Sequence, residues 1–221
     1  GVGGRPFEHG AKDPFWEAPL LSGPLAEATC ASCHPGGPIE GAPIFNRGRA
    51  LFIDLGCAGC HESGLLPPSG AIGPPLAGLR DKTSPAFVEA WLRGPHEIRP
   101  LTRMPHSWPD APAERGPRGG PRAVLAFLGT LDGPRLAEPP PGGDPDRGAA
   151  LYAELGCRAC HEPLGSARRP VGPTLDRVGE KASRAWLWAW LGNPRSLWPE
   201  ARMPNPRLTD GERLDLVAHL T

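Results

Sequence analysis

The sequence predicts an all-α protein in which one small helical unit is written twice. Three observations carry that expectation. Apolar residues recur at helical spacing over residues 47–55, 84–93 and 121–131, and again over 147–155, 183–192 and 209–220. The stretch Gly48 to Cys57 (GRALFIDLGC) is echoed by Gly148 to Cys157 (GAALYAELGC), an offset of 100 residues. The segments between are rich in proline and glycine, with no apolar–polar alternation of the strand period.

Each helix has its own local signals. The first of each unit ends at a glycine just before a cysteine, a helix stop signal. Ser84 and Ser183 precede the second helices as N-cap candidates. Before the last helix, Thr209 and Glu212 have the spacing of a capping box. Further anchors recur at an offset of 99: Gly73-Pro74-Pro75-Leu76 with Gly172-Pro173-Thr174-Leu175, Trp91 with Trp190, Pro95 with Pro194, and Arg103-Met104-Pro105 with Arg202-Met203-Pro204. Such regularity indicates duplication of a whole folding unit. Residues 109–121 read as a loop. Residues 132–145, where Glu138 precedes three prolines and two glycines, read as a stiff-then-flexible linker.

All six cysteines fall in three copies of Cys-x-x-Cys-His: Cys30, Cys33 and His34; Cys57, Cys60 and His61; Cys157, Cys160 and His161. This pattern is that of covalent c-type haem attachment. Two thiols add across the haem vinyl groups and the adjacent histidine ligates the iron. A disulfide framework would not explain a histidine after every second cysteine. Zinc sites combine two Cys pairs, or one with a distant His pair, and here each pair stands alone. A thioredoxin-like pair needs a βαβ context, which is lacking. Three covalently bound haem c groups are therefore expected. They also reconcile 30 glycines and 31 prolines, a low-complexity fraction, with seven tryptophans and six phenylalanines. A large apolar macrocycle supplies core that a short peptide cannot make alone.

With these motifs in order, each repeat resembles a class I cytochrome c domain: N-terminal helix, Cys-x-x-Cys-His, Gly-Pro-x-Leu loop, middle helix, Met-Pro loop, C-terminal helix. The resemblance covers about residues 45–131 and 146–221. It implies two tandem class I cytochrome c domains plus a short N-terminal haem-binding segment. The layout is 1–44 for haem 1, 45–131 for haem 2, 132–145 as linker and 146–221 for haem 3. His61 and His161 are then proximal ligands, and Met104 and Met203 distal ones. These are the only methionines, 43 and 42 residues after their histidines. Met/His ligation closes the iron to substrate and raises its potential relative to bis-histidine.

Haem 1, with His34 as proximal ligand, has no such distal partner. The candidates are His9, His96, His106 or no protein ligand. His9 is favoured because it shares the segment, with Phe7, Phe15 and Trp16 nearby to cover a haem face. Only 23 residues separate Cys33 from Cys57, so haem 1 is expected against the first domain. A bis-histidine haem there would have the lower potential and feed electrons toward the other two. Trp91 and Trp190 are candidates to pack on haem or in the core. Trp186 and Trp188 are candidates for a docking surface. Arg103 and Arg202 stand beside the methionines as propionate partners or solvated charges, and His219 lies on the last helix.

Twenty-four basic residues balance 24 acidic ones, so there is no basic footprint for nucleic acid. No apolar stretch reaches the roughly 20 residues of a membrane span. The expected protein is an electron carrier and not an enzyme, with redox proteins as donor and acceptor. It is expected in the periplasm or outside the cell, with a leader removed. Membrane association would come through a partner complex or a removed anchor. Two alternatives stand beside this. One is a haem enzyme, peroxidase-like or thiosulfate-oxidising, acting at haem 1. The other is a repeating subunit of a polymeric cytochrome assembly, with His96 or His106 ligating a haem of the next copy.

Overall fold

The computed structural model describes residues 26–34, 36–64, 72–108, 120–131, 133, 136–161 and 171–221. Among them every regular element is helical and no strand occurs, as the repeat predicts. The chain divides into two units: Gly1–Arg80 with Val88–Asp132, and Asp81–Phe87 with Gly133–Thr221. No described helix is long and apolar enough to cross a membrane.

In the first part of the chain α1 spans Ala28–Cys33, α2 Pro43–Asp54, α3 Leu79–Lys82, α4 Pro85–Arg93, α5 Pro95–Ile98 and α6 Pro121–Leu128. The second part has α7 at Pro145–Glu154, α8 at Val178–Lys181, α9 at Arg184–Gly192, α10 at Pro194–Leu197 and α11 at Asp210–Leu220. Short 3₁₀ turns cover Cys57–Gly59 and Cys157–Ala159.

Several boundaries follow from the local chemistry. Gly56 and Gly156 adopt the left-handed conformation, at φ 71° and 66°, and stop α2 and α7 just before the cysteines. Ser183 Oγ accepts the Trp186 N–H, and Ser84 Oγ accepts that of Phe87. Thr209 and Glu212 form both bonds of the capping box. The last helix of the first unit ends at Leu128, three residues short of expectation, with Gly129 as its cap.

Helix α2 begins at Pro43, four residues before the expected start. Proline at the first position costs no hydrogen bond, because that N–H would be unpaired anyway. The next two donors are satisfied from outside the helix. The Glu27 carboxylate accepts the N–H of Ile44 at 2.6 Å and of Phe45 at 2.8 Å. An acceptor 17 residues upstream leaves no local capping signal in the sequence. It also ties the first Cys-x-x-Cys-His helix, α1, to the first unit. Cys30 and Ala31 pack against that unit's core, in line with the short connection between motifs.

In each unit the first and last helices cross at a glycine. A Cβ on Gly48 would overlap the Ala123 carbonyl of α6, and one on Gly148 would overlap the Asp215 carbonyl of α11. The first core is aromatic, with the Phe127 ring 5.9 Å from Phe45 and 5.1 Å from Phe52. The second is smaller, with Leu187, Leu191, Leu216 and Val217 at its centre. Tyr152 faces the exposed His219 ring at 5.6 Å.

Asp215 adds a polar clamp to the second crossing. It is 6% exposed and accepts from the Asp144 N–H at 2.7 Å and from the Arg147 guanidinium at 3.2 Å. These donors, the backbone N–H first, hold its carboxyl below the ordinary value despite the opposing effect of burial. A depressed folded-state pKa contributes stability above the unfolded value, about 4, and that contribution disappears as pH falls toward the folded value. Asp215→Asn is expected to unfold at lower temperature than the parent at neutral pH. Its deficit should shrink as pH falls below about 4. Thermal unfolding of the haem-loaded protein across pH checks this; a pH-independent deficit would contradict it.

Candidate haem attachment and ligand sites

The three motifs share one backbone feature. The histidine N–H donates to the carbonyl of the first cysteine: His34 to Cys30 at 2.9 Å, His61 to Cys57 at 3.0 Å, and His161 to Cys157 at 2.9 Å. The second and third motifs reach it through a left-handed glycine and a 3₁₀ turn. The first reaches it inside α1, without that glycine.

The histidine rings differ in the same way. His61 Nδ1 lies 2.8 Å from the Pro74 carbonyl, and His161 Nδ1 lies 2.7 Å from the Pro173 carbonyl. A carbonyl can only accept, so these contacts assign the proton to Nδ1 and leave the Nε2 lone pair for a metal. Glycine at 73 and 172 allows the loop to lie this close. A Cβ there would stand 2.6 Å from His61 Cε1 or 2.7 Å from His161 Cε1. Each strap is fastened back by a glycine N–H, Gly73 to the Cys60 carbonyl and Gly172 to that of Cys160, both at 2.8 Å. His34 is exposed, and among the described residues no carbonyl receives its ring. A cleft of 330 Å³ opens beside His161, with Tyr152, Arg158, Leu175, Asp176 and His219 in its wall.

Burial pushes the Cys57 and Cys157 thiols above the ordinary range. Cys30, Cys57, Cys60, Cys157 and Cys160 form no disulfide. Among the described residues no three His, Cys, Asp or Glu side chains cluster as a metal site. A pair of cysteines beside an imidazole with a braced Nδ1 fits haem c, as a donor set that needs only a porphyrin and its iron.

Both methionine sulfurs accept an indole N–H from the middle helix of their repeat. Trp91 donates to Met104 at 2.8 Å and Trp190 to Met203 at 3.0 Å. Each methionine is partly buried against the core of its own unit. This is the role of the two tryptophans that sequence alone left between haem and core. The signal was present as a 13-residue Trp–Met spacing kept in both repeats. A thioether sulfur has two lone pairs, so accepting one N–H leaves the other for iron.

Other sequence candidates fall out differently. Trp186 and Trp188, the docking-surface candidates, are half-buried. Trp186 stacks on Trp190 at 4.8 Å, and the Arg213 guanidinium covers Trp188 at 3.4 Å. Each is spoken for by neighbours on its own helix or on α11. His106 Nε2 is bonded to the Arg93 carbonyl, while His96 is exposed on α5. Arg103 and Arg202 are exposed. His9, with Phe7, Phe15 and Trp16, lies outside the described residues.

Residues 145–221 match the family model described as Cytochrome c. No curated protein and no solved structure matches the chain.

Two substitutions test the geometry. Gly172→Ala should force the strap off the His161 ring and cost about 1–3 kcal/mol, the usual range for overpacking a filled site. Chemical denaturation of the haem-loaded protein measures it, with a changed spectrum confined to one haem. Glu27→Ala should cost about 1 kcal/mol, the value of a helix cap. A loss below a few tenths would mean that the carboxylate is not capping α2.

Proposed function

We propose that this chain is a triheme c-type cytochrome that passes single electrons between redox proteins outside the cytoplasm. The match of residues 145–221 to the Cytochrome c family model supports a haem c electron-transfer protein. The finer reading extends this to three haems, held by Cys30 with Cys33, Cys57 with Cys60, and Cys157 with Cys160. The observation that carries the second and third haems is a repeated pair of contacts, and the first rests on its Cys-x-x-Cys-His motif. In both repeats a proline carbonyl fixes the motif imidazole and a tryptophan N–H fixes the methionine sulfur.

Haem c supplies a one-electron iron couple when bound. The residues of the chain do the rest. The Pro74 and Pro173 carbonyls keep His61 and His161 in the ligating tautomer and raise the basicity of Nε2. Trp91 and Trp190 hold the Met104 and Met203 sulfurs and draw electron density from them. Were haem held by His61 with Met104 and by His161 with Met203, no site on the iron would be left for substrate, which favours electron transfer over ligand chemistry. Preset ligands also limit rearrangement when the charge changes.

A second reading concerns the first motif alone. The exposed, unbraced His34 favours an iron of different ligation there, either paired with His9 or open to small molecules. The open case is the basis of the haem-enzyme alternative. Export of the chain and its association with a membrane through a partner complex belong to the same proposal.

The intact mass of the purified protein is expected to exceed that of the polypeptide by three haems. A redox titration followed by low-temperature EPR should resolve two His/Met components and a third of a different class. Met104→Ala and Met203→Ala should each remove one His/Met component and lower its potential. One attached haem would overturn the triheme reading, and unchanged spectra in both variants would overturn the ligand assignment. Cyanide or carbon monoxide binding to one haem would select the open first site.

A further inference from the structure

One line of contacts in the second unit ends on the Met203 sulfur and begins at a cation. Residues 81–87 belong to this unit. Ser183, the cap of α9, donates its N–H to the Lys82 carbonyl at 2.8 Å and its hydroxyl to the Asp81 carbonyl at 2.7 Å. These bonds fix the Lys82 backbone at the start of α9. The Lys82 Nζ then sits 4.4 Å from the centre of the Trp186 ring. Trp186 and Trp190 are one helical turn apart on α9, and their rings stack at 4.8 Å with 16° between planes. The Trp190 N–H donates to Met203 at 3.0 Å.

Each link has a direction. A cation over an indole is attracted by the negative face of the ring and holds it in place. Trp186 in turn fixes the plane of Trp190, and so the line along which its N–H meets the sulfur. A stronger N–H donation withdraws density from the thioether and makes it a poorer donor to oxidised iron. A fixed positive charge nearby also favours the added electron, the more so where water is excluded. Both effects raise the reduction potential. Burial, with Lys181 nearby, pulls the Lys82 ammonium down to about 8, so it remains charged at neutral pH. The residue matching Trp186 in the first repeat is Phe87, a ring with a weaker cation attraction.

We propose that Lys82 is a positioning residue for the Met203 centre, holding its potential up by seating a cation on the outer face of the Trp186–Trp190 stack. The inference rests on the reading of Met203 as an iron ligand. Potentiometric titration of the haem-loaded protein, below neutral pH and resolved by component, tests it with four variants. Lys82→Met should lower the potential of one His/Met component and leave the others in place. Lys82→Arg, which keeps both charge and stacking, should restore it. Trp186→Ala should lower the same component. Met203→Ala identifies that component by removing its thioether signature.

If Met203→Ala removes the signature while Lys82→Met leaves the potential unmoved, the role of Lys82 is overturned and the ligand assignment stands. If Met203→Ala changes no haem, the ligand assignment itself is overturned, and this inference with it. A fall in Lys82→Met that Lys82→Arg fails to restore would show loss of packing and would also overturn the proposal.

Discussion

A proline carbonyl behind the motif histidine sets the terms for both duplicated units. At 2.7–2.8 Å from Nδ1 it fixes the tautomer, the ring plane and the nitrogen left for iron. The loop can come that close only because the residue before the proline is glycine. The strap is anchored in turn by the Gly73 and Gly172 amides on the cysteine carbonyls. The 3₁₀ turn that carries the cysteines depends on a left-handed glycine at the end of the first helix. That helix is placed by its crossing with the last one, again over a glycine. Each step uses a glycine, for a close approach at the strap and the crossing and for a left-handed φ at the turn.

The first motif is built on other terms. It has no left-handed glycine and no strap among the described residues, and it sits in a six-residue helix. What holds it is Glu27, whose carboxylate serves the open end of α2. Negative charge at a helix N-terminus is favourable, and here it also joins two segments. The motif is therefore well attached to the first unit while its histidine stays exposed.

The two repeats also diverge around their methionines. Both use an indole N–H on the sulfur, and the ring one turn earlier is Phe87 in the first and Trp186, with Lys82 over it, in the second. Trp188 is covered by Arg213, which Gly192 accommodates by lacking a side chain. Duplicated units with the same ligands need not have the same potential, because their surroundings are free to differ.

By itself the sequence determined the helical class, the duplication and the three Cys-x-x-Cys-His motifs. Those are local properties: a period of 3.6, a spacing, a cap three residues from its partner. The capping box at Thr209 and the glycine stops at 56 and 156 were legible for the same reason. The start of α2 was not, because its cap comes from Glu27. The tertiary structure alone decided which carbonyl braces each imidazole, what the tryptophans donate to, and that Trp186 and Trp188 are covered. The bonds to the imidazoles and to the sulfurs join residues 12 or 13 apart, and Lys82 and Trp186 are 104 apart; only folding brings such groups within reach. No propensity or period in a single chain records a meeting of that kind.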